Sequence, residues 1–146
     1  MRVLVQRVSR ARVTVGSECV GAIGCGLVLL VGFRAGDDER ALRFCADKCA
    51  HLRIFGDAAG RLNRSVLDAG GEALIIPQFT LYADCRHGRR PSFNDAAPPA
   101  IAAVLYERFL ASCAASGLRV AQGRFGAHMV LELANDGPVT VLVESP

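Results

Sequence analysis

A mixed α/β domain with predominantly antiparallel strands and two main helices is what the sequence predicts, on three observations. Apolar and polar residues alternate with period two over Val3–Val8 and again over Ala11–Val15, as in half-buried strands. Two segments, 38–52 and 98–115, instead repeat their apolar residues at helical spacing. The chain has 146 residues, 51% of them apolar, which suffices for one core, and no repeat, low-complexity tract or linker divides it. Residues 1–146 are therefore read as a single domain.

The N-terminal third is a meander. Gly16-Ser17 is a hairpin signal leading into Glu18–Ile23, and Leu27–Val31 is apolar enough to be a strand buried on both faces at the centre of a sheet. Asp37 or Asp38 can cap the first helix, whose inward face would carry Leu42, Cys45, Cys49 and Leu52. Arg61–Val66 is a short or irregular strand between two Gly-containing turns. Ala73–Ile76 is a core strand that runs on into Pro77–Tyr82, after which the chain turns abruptly polar and basic over Ala83–Phe93. Asn94 or Asp95 can cap the second helix, with Pro98-Pro99 in its first turn, Ile101, Leu105 and Phe109 along its apolar stripe, and Gly117 at its end. Leu118–Val120 is a short strand, and Gly123–Gly126 turns the chain into two last strands, Met129–Ala134 and Val139–Val143. Between those, Asp136-Gly137-Pro138 must break or turn the chain, because Pro cannot donate to a ladder. It reads either as an ordinary turn or as a rigid Gly-Pro presented at a site.

Composition narrows the function classes. The six cysteines form no CxxC pair and Met1-Arg2 leads straight into strand alternation, so the expectation is a reduced, cytoplasmic protein. The longest apolar run, Gly26–Phe33, is well short of the roughly 18 residues of a membrane span. Net charge is +3, carried almost entirely by Arg, with Lys48 the one lysine; this is compatible with a surface that forks around phosphates. Cys45, Cys49 and His51 have a spacing that can hold a metal, but no second ligand pair stands at a suitable distance, and two small core residues is the better reading. Of the three histidines, His51 and His128 read as structural, and His87 beside Cys85 is the one suggestive Cys–His pair. No nucleophile elbow, P-loop, dinucleotide fingerprint or zinc-protease motif is present. Catalysis, if any, falls to backbone groups and to the substrate.

Pro77-Gln78-Phe79-Thr80-Leu81 and Asn135-Asp136-Gly137-Pro138-Val139-Thr140 together resemble the D-aminoacyl-tRNA deacylase family. Val5-Gln6-Arg7-Val8, Arg53-Ile54-Phe55, Arg90-Pro91-Ser92-Phe93 and Gly123-Arg124-Phe125 extend the likeness over the whole chain. The resemblance implies strongly curved sheets and a homodimer, each active site lying at the interface, with a Gly-cis-Pro of one subunit entering the other's pocket. It implies hydrolysis of the ester joining a D-amino acid to the terminal adenosine of tRNA, and of the glycyl ester, including glycine mischarged on the tRNA for alanine. Such an ester is already activated, so the enzyme chiefly has to place water and stabilise an oxyanion, a task for the backbone N–H groups of Phe79 and Thr80. Gln78, Gly137, Pro138 and Arg7 would form the substrate site, and Arg86, Arg89 and Arg90 would meet tRNA phosphates. No cofactor, metal, membrane or DNA partner is expected. One departure stands out: Pro77 replaces the family's usual Ser, so no role of that hydroxyl carries over. A related branch has Pro there with Ala in place of Phe79; this chain keeps Phe79 and Arg7, which groups it with the D-specific enzymes. A non-catalytic RNA-binding dimer and a Cys85–His87 thiol enzyme are the alternatives.

Overall fold

The computed structural model describes all 146 residues. Strand β1 (Arg2–Val15) is the spine. It turns at Gly16, whose φ of 59° suits glycine, into β2 (Glu18–Ile23), and then pairs antiparallel with β3 (Gly26–Gly32). Helix α1 (Glu39–His51) crosses to the short pair β4 (Phe55–Gly56) and β5 (Leu62–Arg64), and β6 (Glu72–Pro77) returns parallel to β3. A 3-10 turn (Phe79–Tyr82), helix α2 (Pro99–Ala115), β7 (Arg119–Gln122) and β8 (Val130–Glu144) complete the chain. The main sheet runs β2-β1-β3-β6-β7, with β8 antiparallel along the other side of β1. Strong curling brings β2 back against β7: a Cβ on Gly21 would lie 2.7 Å from Gln122 O. The expected mixed, curved, largely antiparallel architecture with two main helices is present, and β3–β6–β7 is its parallel part.

β3 is central and buried on both faces, as its unbroken apolar run requires; Leu27, Val28 and Leu29 have no solvent exposure. Both helices cover one face of the sheet, where Leu42, Cys45, Cys49, Leu105, Tyr106, Phe109 and Cys113 close the larger core. Cys45 and Cys49 are thus core residues, whereas His51 faces solvent beside Asp47. Burial pushes the Cys45 thiol up to about 11 and Cys113 to about 12. Asp38 caps α1 through Ala41 N at 3.0 Å, a contact worth about 1 kcal/mol; Asp37 instead takes the Met1 amino group at 2.6 Å.

Four expectations need correction. The core strand does not continue through Pro77–Tyr82 but leaves the sheet at Pro77. Helix α2 has no Asn or Asp cap: Pro98 precedes its first residue, and rigid Pro φ values pre-set the first turn instead. Ile101 is half exposed, the inward stripe being Ala102, Leu105, Tyr106 and Phe109. The largest correction concerns Asp136-Gly137-Pro138, which does not separate two strands. β8 continues through it, and between the pairs Gln6↔Thr140 and Val8↔Asn135 one residue of β1, Arg7, faces four of β8, residues 136–139. The three extra residues bow outward as an arch, so the missing Pro N–H leaves no gap in the ladder.

Candidate active site

β6 supplies one part of the site. Its parallel pairing ends where Val31 faces Pro77, and Gln78 N then bonds Val31 O at 2.7 Å. A proline is tolerated there because the ladder is finishing. The chain next closes a single 3-10 turn, with Leu81 N to Gln78 O at 3.3 Å and Ala83 N to Thr80 O at 3.0 Å. Since the first turn bond starts at Leu81, the N–H groups of Phe79 and Thr80 have no partner within the turn. The Gln78 amide donates to Thr80 Oγ1, and no histidine or carboxylate bonds that hydroxyl.

Beside the turn opens a largely apolar cavity of about 690 Å³, walled by Pro77, Gln78 and Phe79, by Phe93 and Pro98, and by the strip Phe125–Met129. Phe79 is 55% exposed and meets Phe93 edge to face, ring centroids 5.1 Å apart at 70°. Phe93 and Phe125, which belong to motifs with no expected role, and His128, expected to be structural, all stand on the cavity wall. Spacing could not reveal this, because Phe93 comes from the loop before α2 and Phe125 and His128 from the loop after β7, and the two loops meet only once β6 and β7 are paired.

Gly137 and Pro138, expected from the sequence to belong to the substrate site, do not line that cavity in their own chain. Their peptide bond is cis, and Gly137 has φ 123°. Arg7, opposite the arch, donates from Nε to Asp136 O at 3.1 Å, lies 3.3 Å from the Asp136 carboxylate, and donates from Nη1 to Ile54 O at 2.6 Å. Asn135 Nδ2 spans the base of the arch to Val139 O at 3.2 Å and Thr140 Oγ1 at 3.3 Å, and Gln6 Nε2 reaches the same Oγ1 at 3.3 Å. Arg7 thus packs beside Gly137; the Asn135 brace is a contact that sequence did not signal.

The basic loop follows the turn directly. Asp84 and Ser92 exchange backbone bonds at 2.7 and 2.9 Å, pinching off a loop that carries Arg86, Arg89 and Arg90, all exposed. Arg86 grips Asp84 bidentately at 2.9 and 2.7 Å and, chiefly through that bond, holds its carboxyl down at about 2. Arg89 and Arg90 have no ion-pair partner. Cys85 and His87 share the loop without a hydrogen bond between them.

The sequence profile of the family described as D-Tyr-tRNA(Tyr) deacylase matches residues 4–144. The chain belongs to this deacylase family. Membership makes it a hydrolase. Among deacylase relatives, the "D-aminoacyl-tRNA deacylase" of Roseiflexus sp. (strain RS-1) is 60% identical over 145 residues, covering 99% of this chain and 94% of the relative. That of Heliobacterium modesticaldum (strain ATCC 51547 / Ice1) is 60% identical over 144 residues, covering 99% and 96%. Of solved structures, "c-Myc DNA Unwinding Element Binding Protein" superposes with a TM-score of 0.93 at 39% identity, covering 100% of this chain and 99% of that one. A structure titled as a probable eukaryotic D-amino acid tRNA deacylase reaches 0.86 at 21% identity, covering 98% of each chain, and shows the shared fold.

Proposed function

We propose that this family member hydrolyses the ester between a D-amino acid, or glycine, and the terminal adenosine of tRNA, with chirality checked by Gly137-Pro138. The observation that carries the reading is the turn at the end of β6, which presents two N–H groups without turn partners, those of Phe79 and Thr80, beside an apolar cavity. Attack of water on the ester carbonyl builds negative charge on its oxygen; donors already in place to receive it are each worth roughly 10²–10³ in rate. Thr80 has no base to take its proton, so its hydroxyl positions, and the 2′-hydroxyl of the adenosine directs the water. The cavity's volume and aromatic walls suit a nucleoside.

Chiral selection follows from steric rejection by backbone. In a homodimer of isologous symmetry, the arch of one subunit enters the other's site and occupies the space an L-side chain needs, leaving a D-side chain or a glycine free. Two features support this assembly: the arch bows out of β8, which lies at the sheet's edge, and β8 exposes Val130 and Leu142. Arg89 and Arg90 meet acceptor-end phosphates in a sequence-blind manner. Paired hydrolysis of D- and L-tyrosyl-tRNA is the test. Turnover of the D-ester alone is the expected result; equal turnover of both, or turnover of neither, refutes the reading. Light scattering gives the assembly, and a fully active monomer at micromolar concentration rules out the cross-subunit site.

A further inference from the structure

The 3-10 turn is held from two sides. On one, it packs against the backbone of β3, where a Cβ on Gly32 would lie 3.0 Å from Gln78 O and 3.1 Å from Leu81 Cβ. On the other, Arg2 reaches over from the start of β1. Its Nη1 donates to Leu81 O at 2.9 Å, its Cζ lies 4.7 Å from the Tyr82 ring centroid, and its Nε donates to Glu144 Oε1 at 2.7 Å. The neighbouring backbone donors are committed elsewhere, Ala83 N to Thr80 O and Asp84 N to Ser92 O, so Arg2 is what satisfies Leu81 O. The sheet does not need this side chain, since Arg2 pairs with Gly32 and Glu144 through its backbone. A planar guanidinium can serve a carbonyl, a ring face and a carboxylate together; an ammonium cannot.

We propose that Arg2 is a positioning residue for deacylation. By fixing Leu81 and Tyr82 it sets the aim of the Phe79 and Thr80 N–H groups at the other end of the same four-residue turn, with Glu144 orienting the fork. Arg2 touches no substrate, so its effect falls on the rate of the chemical step and not on tRNA binding. This rests on the reading of the turn as the oxyanion site.

The test is single-turnover hydrolysis of D-tyrosyl-tRNA by Arg2→Ala, Arg2→Lys and Gly32→Ala, alongside KM and melting temperature. Arg2→Ala is expected to lose roughly tenfold to a hundredfold in rate, the scale of a small misplacement of catalytic groups, with KM and Tm near wild type. Arg2→Lys should recover part of the loss, and millimolar guanidinium ion should raise the rate of Arg2→Ala without raising that of the wild type. A wild-type rate for Arg2→Ala, or a loss that appears in KM or only as melting, overturns the proposal. Gly32→Ala pushes the turn from its other side. If it slows the reaction and Arg2→Ala does not, the Arg2 proposal alone fails; if neither does, the reading of the turn fails with it.

Discussion

The turn after β6 and the arch in β8 are the two backbone features on which the proposed chemistry depends, and they are held by opposite means. The turn hangs from a strand whose residues Ala73, Leu74 and Ile75 have no exposure; apart from Arg2, packing fixes it. The arch stands on an edge strand of alternating exposure and is held by polar side chains, Arg7 on its crown and Asn135 across its base. A part placed by close packing keeps its fold when one polar group is lost, because many contacts remain, even where its aim shifts enough to slow the chemistry. One placed by two or three hydrogen bonds does not.

The sharpest way to break this contrast is Gly137→Ala. The new Cβ would sit 2.8 Å from both Arg7 Nη2 and Val139 Cγ2, at a φ that side chains rarely adopt. We expect kcat/KM for D-tyrosyl-tRNA to fall by about 10² or more, a scale set by misplaced reacting groups, while far-UV circular dichroism stays native; near-normal activity would mean the arch plays no part. Arg7→Ala comes next. It removes the bonds to Asp136 O and Ile54 O, and a buried carbonyl left unpaired costs about 1–3 kcal/mol, so a melting shift of several degrees should accompany a lower ratio of D to L turnover. An unchanged ratio would separate Arg7 from chirality.

Thr80→Ala should matter less, costing no more than about tenfold because the N–H donor remains and one hydroxyl hydrogen bond is modest. Loss to the uncatalysed rate with tRNA affinity intact would instead favour a covalent route. The smallest effect is expected at Arg86. Its guanidinium is already occupied by Asp84, whereas Arg89 and Arg90 are unpaired, so filter binding across a salt series should show Arg90→Ala lowering the salt slope by about 1 and Arg86→Ala by less. The Asp84 carboxyl titrates at about 2 when folded, below the unfolded value of about 3.9. Whatever stability the pair gives is therefore complete above the unfolded value and lost as pH falls toward 2. Between pH 5 and 8 the Arg86→Ala effect should be flat.

Much of the fold was legible because its signals are local. The unbroken run Leu27–Val31 could only be a doubly buried strand, and Asp38 with Gly117 marked helix ends by groups that act within one turn. The arch was misread as a break because a proline's missing N–H looks the same whether the strand ends or bows; only the partner strand, one residue of β1 against four of β8, distinguishes them. At the site, Phe79, Thr80 and Arg7 were legible through motifs. Phe93 and Phe125 as cavity walls, and Arg2 as the grip on Leu81, were not, because each depends on contacts far apart in sequence that no periodicity encodes.

The pairing of β1 with β8 bears on how the molecule assembles. Arg2 and Glu144 are hydrogen-bonded across 142 positions, and the whole arch is framed by that same ladder. Closing so long a loop comes at an entropic penalty before any contact offsets it, and chains dominated by such pairings fold in about milliseconds to seconds. Hairpin β1–β2 and the β3–β6 crossover can form earlier from nearer segments. In pulse-labelled refolding, amides of β8 should accordingly gain protection last, so that the arch takes shape only with the final stage of folding; protection of β8 ahead of β3 would contradict this order.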